Sequence, residues 1–279
     1  MKYAILFSVF LASIFMSPMS LAQNKTEQTL VEPGSFDFRL TAGFGGIENP
    51  LRERDHIRSP LLPEFSYYGD KLYIENLVFG YSLYESPIWL VDAYGYFNND
   101  GYFFADSNTA KVISIAGITQ NTWKATRVEL NLEDIERDLS YMAGINISHI
   151  NTWYRTNLSI AKDITSVHHG EEISLTFAKP MQWNSFTVTV QFGATYKSAD
   201  ISDYYYRLTD QENTIAIRQQ DIGDTLSPWS SVNLRYHFNP SWSVGLSFKK
   251  TWFDSKFKQS ILVEESNYSS GFVGVSYRY

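Results

Sequence analysis

The sequence predicts a transmembrane antiparallel up-and-down β-barrel. Segments of about ten residues alternate between apolar and polar side chains, which suits tilted strands with one face toward lipid and the other toward a lumen. Tyr and Trp, which concentrate at membrane interfaces, number 19 and 7. Beyond the N-terminal region no apolar stretch reaches the ~18 residues of a spanning helix. Because backbone polar groups must be paired within lipid, a closed barrel is the membrane fold that remains.

Residues 1–22 have the organisation of a secretory signal peptide. Lys2 precedes an apolar run from Tyr3 to Met16, and Ser20-Leu21-Ala22 has small residues where signal peptidase requires them. The apolar run is shorter than the ~20 residues of a helical membrane anchor. We therefore expect residues 23–279 to form the barrel as one domain of an exported protein.

The composition restricts the partners. The formal net charge of −7 leaves no basic footprint for nucleic acid. The absence of cysteine rules out a disulfide framework, so stability must come from strand pairing, burial and the membrane. The expected partners are outer-membrane lipid, lipopolysaccharide and the barrel assembly machinery.

The first half of the chain contains six predicted strands. The first, at 36–44, is clear because Phe36, Phe38, Leu40, Ala42 and Phe44 alternate with small or polar residues. Weaker alternation predicts the strands that follow, at 60–68, 71–84, 87–97, 139–149 and 153–162.

The second half contains five more, at 171–179, 185–196, 232–238, 242–252 and 269–279. The segment 185–196 is typical, since Phe186, Val188, Val190 and Phe192 alternate with Thr and Gln. Bacterial single-chain barrels have an even number of strands. We therefore expect about twelve, with the unseen strand inside 111–130, and keep ten as the alternative.

The connections predict the orientation. Short links at 85–87, 149–152, 179–182 and 239–241 alternate with long segments at 98–138, 197–226 and 253–268. Outer-membrane barrels keep short turns in the periplasm and long loops outside. Lys179-Pro180 and Asn239-Pro240 carry turn chemistry, because proline cannot donate to a strand ladder.

The last strand is predicted to close the barrel. Val273, Val275, Tyr277 and Tyr279 share one face, and the chain ends on an aromatic residue. This pattern is typical of the C-terminal assembly signal of bacterial outer-membrane barrels. We therefore expect these four residues to face lipid and to direct assembly.

Polar residues on the opposite strand faces are candidates for the lumen. Their basic members either pair with Glu64, Glu75 or Asp92 and plug the barrel, or line a narrow channel that attracts anions. The candidates are Arg39, Arg155, Asn157, Gln191, Arg235, His237 and Arg278.

The run Tyr204-Tyr205-Tyr206 lies in a predicted external loop. It forms either a partner surface or pore-mouth loop, or an aromatic belt or loop packing. His168 and His169 are expected in a solvated loop, since adjacent residues of a strand point in opposite directions. No metal-binding spacing or nucleophile elbow is present, so we expect no metal, no cofactor and no catalytic residue.

Motifs in a particular order also appear along the chain. They are Glu48-Asn49-Pro50, Leu62-Pro63, Tyr68-Gly69-Asp70, Asp203-Tyr204-Tyr205-Tyr206, Leu226-Ser227-Pro228-Trp229, Asn239-Pro240-Ser241-Trp242 and Ser276-Tyr277-Arg278-Tyr279. Together they resemble the MipA/OmpV family of Gram-negative outer-membrane proteins. The chain departs from the family pattern at Arg207, where the family has glycine, and at Ser260-Ile261-Leu262.

The resemblance implies a non-enzymatic scaffold in the outer membrane that anchors murein-remodelling enzymes, with a murein transglycosylase and a murein synthase as partners. Two other functions remain open from the residues. One is a small channel for solute or antibiotic uptake, and the other is an adhesin or receptor that binds through the external loops.

Overall fold

The computed structural model describes residues 34–104, 135–213 and 219–279, which form a closed antiparallel barrel of twelve strands. The predicted fold class is confirmed, and so is the count of twelve. The strands are β1 (Ser35–Ile47), β2 (Ile57–Tyr68), β3 (Leu72–Glu75), β4 (Val78–Glu85), β5 (Trp89–Phe97), β6 (Tyr141–Ile150), β7 (Arg155–Asp163), β8 (Glu171–Trp183), β9 (Phe186–Lys197), β10 (Thr225–His237), β11 (Trp242–Trp252) and β12 (Asn267–Arg278).

Within the described residues, three short helices lie in the long connections. They are the 3-10 helix η1 (Asp100–Phe104) between β5 and β6, the α-helix α1 (Ala199–Tyr206) between β9 and β10, and the 3-10 helix η2 (Ser255–Gln259) between β11 and β12. None of the described helices is long and apolar enough to cross a membrane.

The strand alternation sorts side chains between lipid and lumen. Phe44 on β1 and Phe192 on β9 are 68% and 58% exposed on the outer surface. The inward-pointing Thr41 and Gln191 on the same two strands are 5% and 6% exposed. The outer face is therefore apolar and the inner face polar, the reverse of a soluble barrel.

The barrel closes where β1 meets β12. Leu40 lies opposite Tyr277, and Phe44 lies opposite Val273. The hydroxyl groups of Thr41 and Ser276 form a hydrogen bond of 2.8 Å on the lumen side of this seam. The last strand therefore occupies the closing position that the sequence predicts.

The twelfth strand comes from a place that the sequence analysis did not anticipate. The predicted strand at 71–84 is divided into β3 and β4 by a turn at Asn76, whose φ is 55°. The Asn76 side-chain oxygen accepts the Phe65 N–H at 2.9 Å, which ties this turn to β2. The segment 111–130 lies outside the described residues, and the barrel closes without it.

The predicted turn at Lys179-Pro180 is wrong. Pro180 lies within β8, opposite Thr189 of β9, and the turn follows at Asn184, whose φ is 49°. The pairing of β7 with β8 ends at Ala178, so the missing N–H of Pro180 falls beyond that ladder. The predicted turn at Asn239 is confirmed, because its side-chain oxygen accepts the N–H groups of Ser241 and Trp242 at 3.0 and 2.8 Å.

Candidate functional site in the barrel lumen

A cavity of about 530 Å³ occupies the lumen. At the short-turn end it is lined by Glu85, Arg155 and His237, and at the other end by Leu62 and Phe272. All of the residues named as lumen candidates line this cavity: Arg39, Arg155, Asn157, Gln191, Arg235, His237 and Arg278. The strand alternation brings them to one space from five strands, which no local motif in the sequence indicates.

One side of the cavity is a basic wall formed by Arg39, Arg235, His237 and Arg278, which come from β1, β10 and β12. Glu64 pairs with Arg39 at 2.8 Å and lies 3.8 Å from Arg235. Three strands separate Glu64 on β2 from Arg235 on β10, so their contact reaches across the lumen.

Arg278 at the short-turn end of the basic wall donates to Asp37 at 2.9 Å. The wall therefore has three guanidinium groups and two carboxylates close to them, with Glu64 shared between two arginines. A shared carboxylate cannot form a full bidentate pair with both partners, so the wall retains capacity to bind an anion.

The other side is an acidic wall formed by Glu75, Glu85 and Asp92 on β3, β4 and β5. The Tyr68 hydroxyl donates to Glu75. Arg155 is the cation that lines this part of the cavity. In the closed strand order β5 lies nearly opposite β12, so acidic and basic groups face each other across the lumen.

Amide and hydroxyl groups line the space between the walls. Asn157 donates from its side-chain nitrogen to Asn146 at 2.6 Å and to Ser148 at 3.0 Å. Gln191 accepts from Ser231 at 3.0 Å. These contacts hold the amide groups in place, which suits a site that binds polar ligands in a fixed orientation.

A hydrophobic core closes the long-loop end of the barrel. It contains Ile47 and Phe272 from β1 and β12, and Met142 and Ala161 from β6 and β7. In a ring of twelve strands these two pairs lie on opposite sides, so one continuous core spans the opening. We call this core the cap. The loop residues that complete it include Leu51, Phe103, Phe104, Ile135, Ile201, Tyr205, Tyr206, Leu208, Ile222, Phe257, Leu262 and Val263.

The three tyrosines belong to the cap through α1. Tyr205 and Tyr206 have no exposed surface, and Tyr204 is partly buried against the same core. Tyr206 packs edge-on against Phe257, with ring centres 4.8 Å apart, and its hydroxyl donates to Asp100 at 2.9 Å. Burial, reinforced by the Asp100 carboxylate, raises the pKa of Tyr206 well above its usual value. These contacts are those of a loop packed over the pore mouth.

A buried ion pair fastens the cap to the barrel wall, and a hydrogen bond between strands lies beside it. Lys197, at the end of β9, contacts both Asp100 oxygens at 2.6 and 2.5 Å. Tyr96 on β5 donates to Glu172 on β8 at 2.6 Å. No sequence pattern indicates this pairing, because Asp100 and Lys197 are far apart in sequence and neither belongs to a recognisable motif.

His168 is buried beside the cap, with its ring centre 5.6 Å from that of Tyr205, so the expectation of a solvated position is wrong for this residue and holds only for His169. The His168 Nδ1 accepts the Gly170 N–H at 2.9 Å, and its Nε2 lies 2.8 Å from the Ser140 hydroxyl. Burial lowers the pKa of His168, opposed by the charge of Asp163. Because Nδ1 accepts an N–H group, it carries no proton, so the imidazole is in its neutral form with the proton on Nε2.

The Ser140–His168–Asp163 arrangement does not have the polarity of a catalytic triad. A triad histidine accepts the serine proton on one nitrogen and donates to the carboxylate from the other. Here Nδ1 accepts a backbone N–H and lies 3.9 Å from Asp163. Asp163 instead accepts the N–H groups of Thr165, His168 and His169 at 2.8, 2.8 and 2.9 Å, which fixes the loop between β7 and β8.

The residues of the predicted assembly signal lie on the outer face of β12. Val273, Val275 and Tyr279 are exposed there, and Tyr277 packs against Trp242 with ring centres 4.9 Å apart. Among residues 34–104, 135–213 and 219–279, no cluster of His, Asp or Glu has the arrangement of a metal site.

Comparisons with known proteins find relatives that align with most of this chain. The chain matches the family model described as MltA-interacting protein MipA over residues 40–279. The MltA-interacting protein of Escherichia coli (strain K12) is 22% identical over 243 residues, which cover 87% of this chain and 90% of that protein. Outer membrane protein Omp26La of Vibrio anguillarum is 22% identical over 261 residues, which cover 91% of this chain and 94% of that protein.

Among solved structures, the NanC porin is similar over 87% of this chain and 99% of its own, with 10% identity and a TM-score of 0.43. The sequence relatives and the twelve-stranded barrel place this chain in the outer membrane of a Gram-negative bacterium.

Proposed function

We propose, since the chain belongs to the MltA-interacting protein MipA family, that it is a non-enzymatic outer-membrane scaffold that holds a murein transglycosylase, together with a murein synthase, at the outer membrane. The relative in Escherichia coli is named for interaction with MltA. The observation that carries the proposal is the asymmetry of the barrel. Its outer end is filled by the cap, whereas the cavity reaches the residues beside the short turns.

This asymmetry bears on where a periplasmic enzyme binds. The turns at 86–88, 151–154, 184–185 and 238–241 are short and present little surface. The cavity adds a concave, charged surface behind them, and its rim includes Glu85, Arg155, His237 and Arg278. A protein that inserts a polar loop into this mouth gains contacts that the turns alone do not supply.

A pull-down with purified components tests the scaffold. The refolded barrel, immobilised through an added tag, should retain a murein transglycosylase of the same organism. Arg278→Gln together with Glu85→Gln should weaken retention about tenfold, because charged contacts at a rim contribute to association. Lys162→Gln, on the exposed outer pair with Glu171, is the matched control. The proposal is contradicted if the wild-type barrel retains neither the transglycosylase nor a murein synthase.

A small channel is the second candidate, and the opposed acidic and basic walls favour it. The two functions predict different behaviour in planar-bilayer recording. A channel requires unitary conductance from the wild-type barrel, whereas a capped scaffold conducts no ions. An adhesin that binds through the tyrosine run is less well supported, because Tyr205 and Tyr206 are fully buried inside the cap and cannot contact a partner.

A further inference from the structure

The lumen cavity has the features of a small-molecule site. Its volume of about 530 Å³ lies within the range of ligand pockets, roughly 300–1,000 Å³. The cap forms its roof, because Leu62 and Phe272 belong both to the cap and to the cavity lining. The other end reaches Glu85, Arg155, His237 and Arg278 beside the short turns. A ligand therefore enters from the short-turn side.

The charges define what such a ligand must present. The basic wall offers guanidinium groups of Arg39 and Arg235 that share one carboxylate, Glu64. Guanidinium groups bind carboxylates through two parallel hydrogen bonds, so this wall suits a carboxylate end. The acidic wall has Glu75, Glu85 and Asp92 with Arg155 as its cation, so carboxylates outnumber cations there. That wall suits an ammonium end.

The middle of the cavity suits peptide groups. The amides of Asn146, Asn157 and Gln191 line it together with the hydroxyls of Ser148 and Thr189. Side-chain amides carry the same donor and acceptor groups as a peptide bond. Leu62, Leu90 and Phe272 add apolar surface between the polar groups, which leaves room for small apolar side chains.

We propose that the lumen cavity binds a short peptide in its zwitterionic form, with the C-terminal carboxylate on the basic wall and the N-terminal ammonium on the acidic wall. A simple anion uses only one wall, and a long chain is stopped by the cap. This inference does not depend on recruitment of an enzyme, because it concerns the lumen of the isolated barrel.

Calorimetry on the refolded full chain in detergent tests the proposal, with trialanine as the probe. N-acetyl-trialanine and trialanine amide each lack one terminal charge. We expect trialanine to bind and each blocked peptide to bind about tenfold more weakly or worse, since each blocked peptide loses the charge-assisted hydrogen bonds of one terminus. Equal binding of all three peptides, or no trialanine binding at 10 mM, overturns the proposal without any variant.

Two variants then locate the ends of the peptide. The Arg235→Gln variant should bind trialanine amide, which lacks the carboxylate, almost as well as it binds trialanine. The same variant should bind N-acetyl-trialanine, which lacks the ammonium group, more weakly than trialanine. Asp92→Asn should show the reverse pattern, and Lys162→Gln should bind like the wild type. Heat-modifiable gel migration checks that each variant is folded. If blocking either terminus weakens binding equally in both variants, the assigned orientation of the peptide is wrong. If either variant fails to fold, the comparison of the three peptides on the wild-type barrel decides whether the proposal stands.

Discussion

His168 shows how a single buried residue makes the cap sensitive to pH. Its neutral form accepts from Gly170 and contacts Ser140, and burial lowers its pKa below the usual 6.5. The unfolded loop therefore binds a proton at a higher pH than the folded loop. The contribution of His168 to cap stability is complete above pH 6.5 and is lost as the pH falls toward the folded pKa.

The charged groups that act on this imidazole are Asp163, Asp100 and Asp200, which favour protonation, and Lys197, which opposes it. We expect hydrogen exchange of peptides 164–170 and 199–206, corrected for intrinsic rates, to show less protection at pH 5 than at pH 7.5. His168→Gln should reduce this difference. His169→Gln, at the exposed neighbouring position, should leave it unchanged. Identical pH dependence in all three proteins excludes His168 as the source.

Tyr206 provides a second prediction at the residue scale. The substitution Tyr206→Ala removes a fully buried ring that contacts Phe253 and Phe257, and should destabilise the cap by about 3–5 kcal/mol. Tyr206→Phe keeps the ring and loses only the bond to the Asp100 carboxylate, at a smaller cost of about 1.5–3 kcal/mol.

Hydrogen exchange of peptides 98–104 and 255–263 measures this graded loss. Barrel strands on the far side, such as β4, which lies opposite β10 in the ring, should keep their protection in both variants. Equal effects of the alanine and phenylalanine substitutions contradict a packing role for the ring.

At the scale of elements, the seam between β1 and β12 depends on glycine. A Cβ atom at Gly43 would overlap the Val273 carbonyl oxygen and lie 2.5 Å from Gly274 Cα. Gly43 also lies in the irregular stretch of β1 between Ala42 and Gly45, where the pairing with β2 shifts register. A side chain there must push the closing strand away.

We therefore expect Gly43→Ala to lower the yield of refolded barrel several-fold, because roughly 1–3 kcal/mol of strain falls on the closing seam. Gly245→Ala is the matched control, since a Cβ atom there would be 3.6 Å from the nearest heavy atom. The folded fraction is read from heat-modifiable gel migration. Equal yields for the two variants contradict the close approach at the seam.

The elements differ in how far the sequence predicts them. Strands with apolar outer faces, such as 185–196, are predicted almost to the residue, because lipid imposes strict alternation. The start of β10 is missed because Trp229 points inward, where Lys249 lies 4.3 Å from its ring centre, and so breaks the apolar-outward pattern. The division of β3 from β4 is missed because a single Asn forms the turn.

In the candidate site, too, the sequence predicts some residues and not others. Alternation alone predicts which polar residues point inward, so the lumen residues are accessible to sequence reasoning. The cap is not, because its contacts join loops that are distant in sequence, as Asp100 and Lys197 do. The burial of Tyr205, Tyr206 and His168 follows from that tertiary packing rather than from any local pattern.

For the whole molecule, the cap joins opposite strands and so couples closure of the pore to the stability of its loops. Residues of β1 and β12 pack in one core with residues of β6 and β7. Wild-type barrels in planar bilayers should therefore show no unitary conductance. Tyr206→Ala should produce intermittent openings, because it weakens the core without removing a strand.

Lys162→Ala, which changes only the exposed pair with Glu171, should stay closed. Openings should also become more frequent as the pH is lowered below 6.5, since protonation of His168 weakens the same core. Steady conductance by the wild type at pH 7.5 would mean that the cap does not seal the lumen. The structure would then support the channel function instead of the scaffold function. Closed barrels that open only when the cap is weakened indicate that sealing is a property of the loop core and that the strands alone would form a pore.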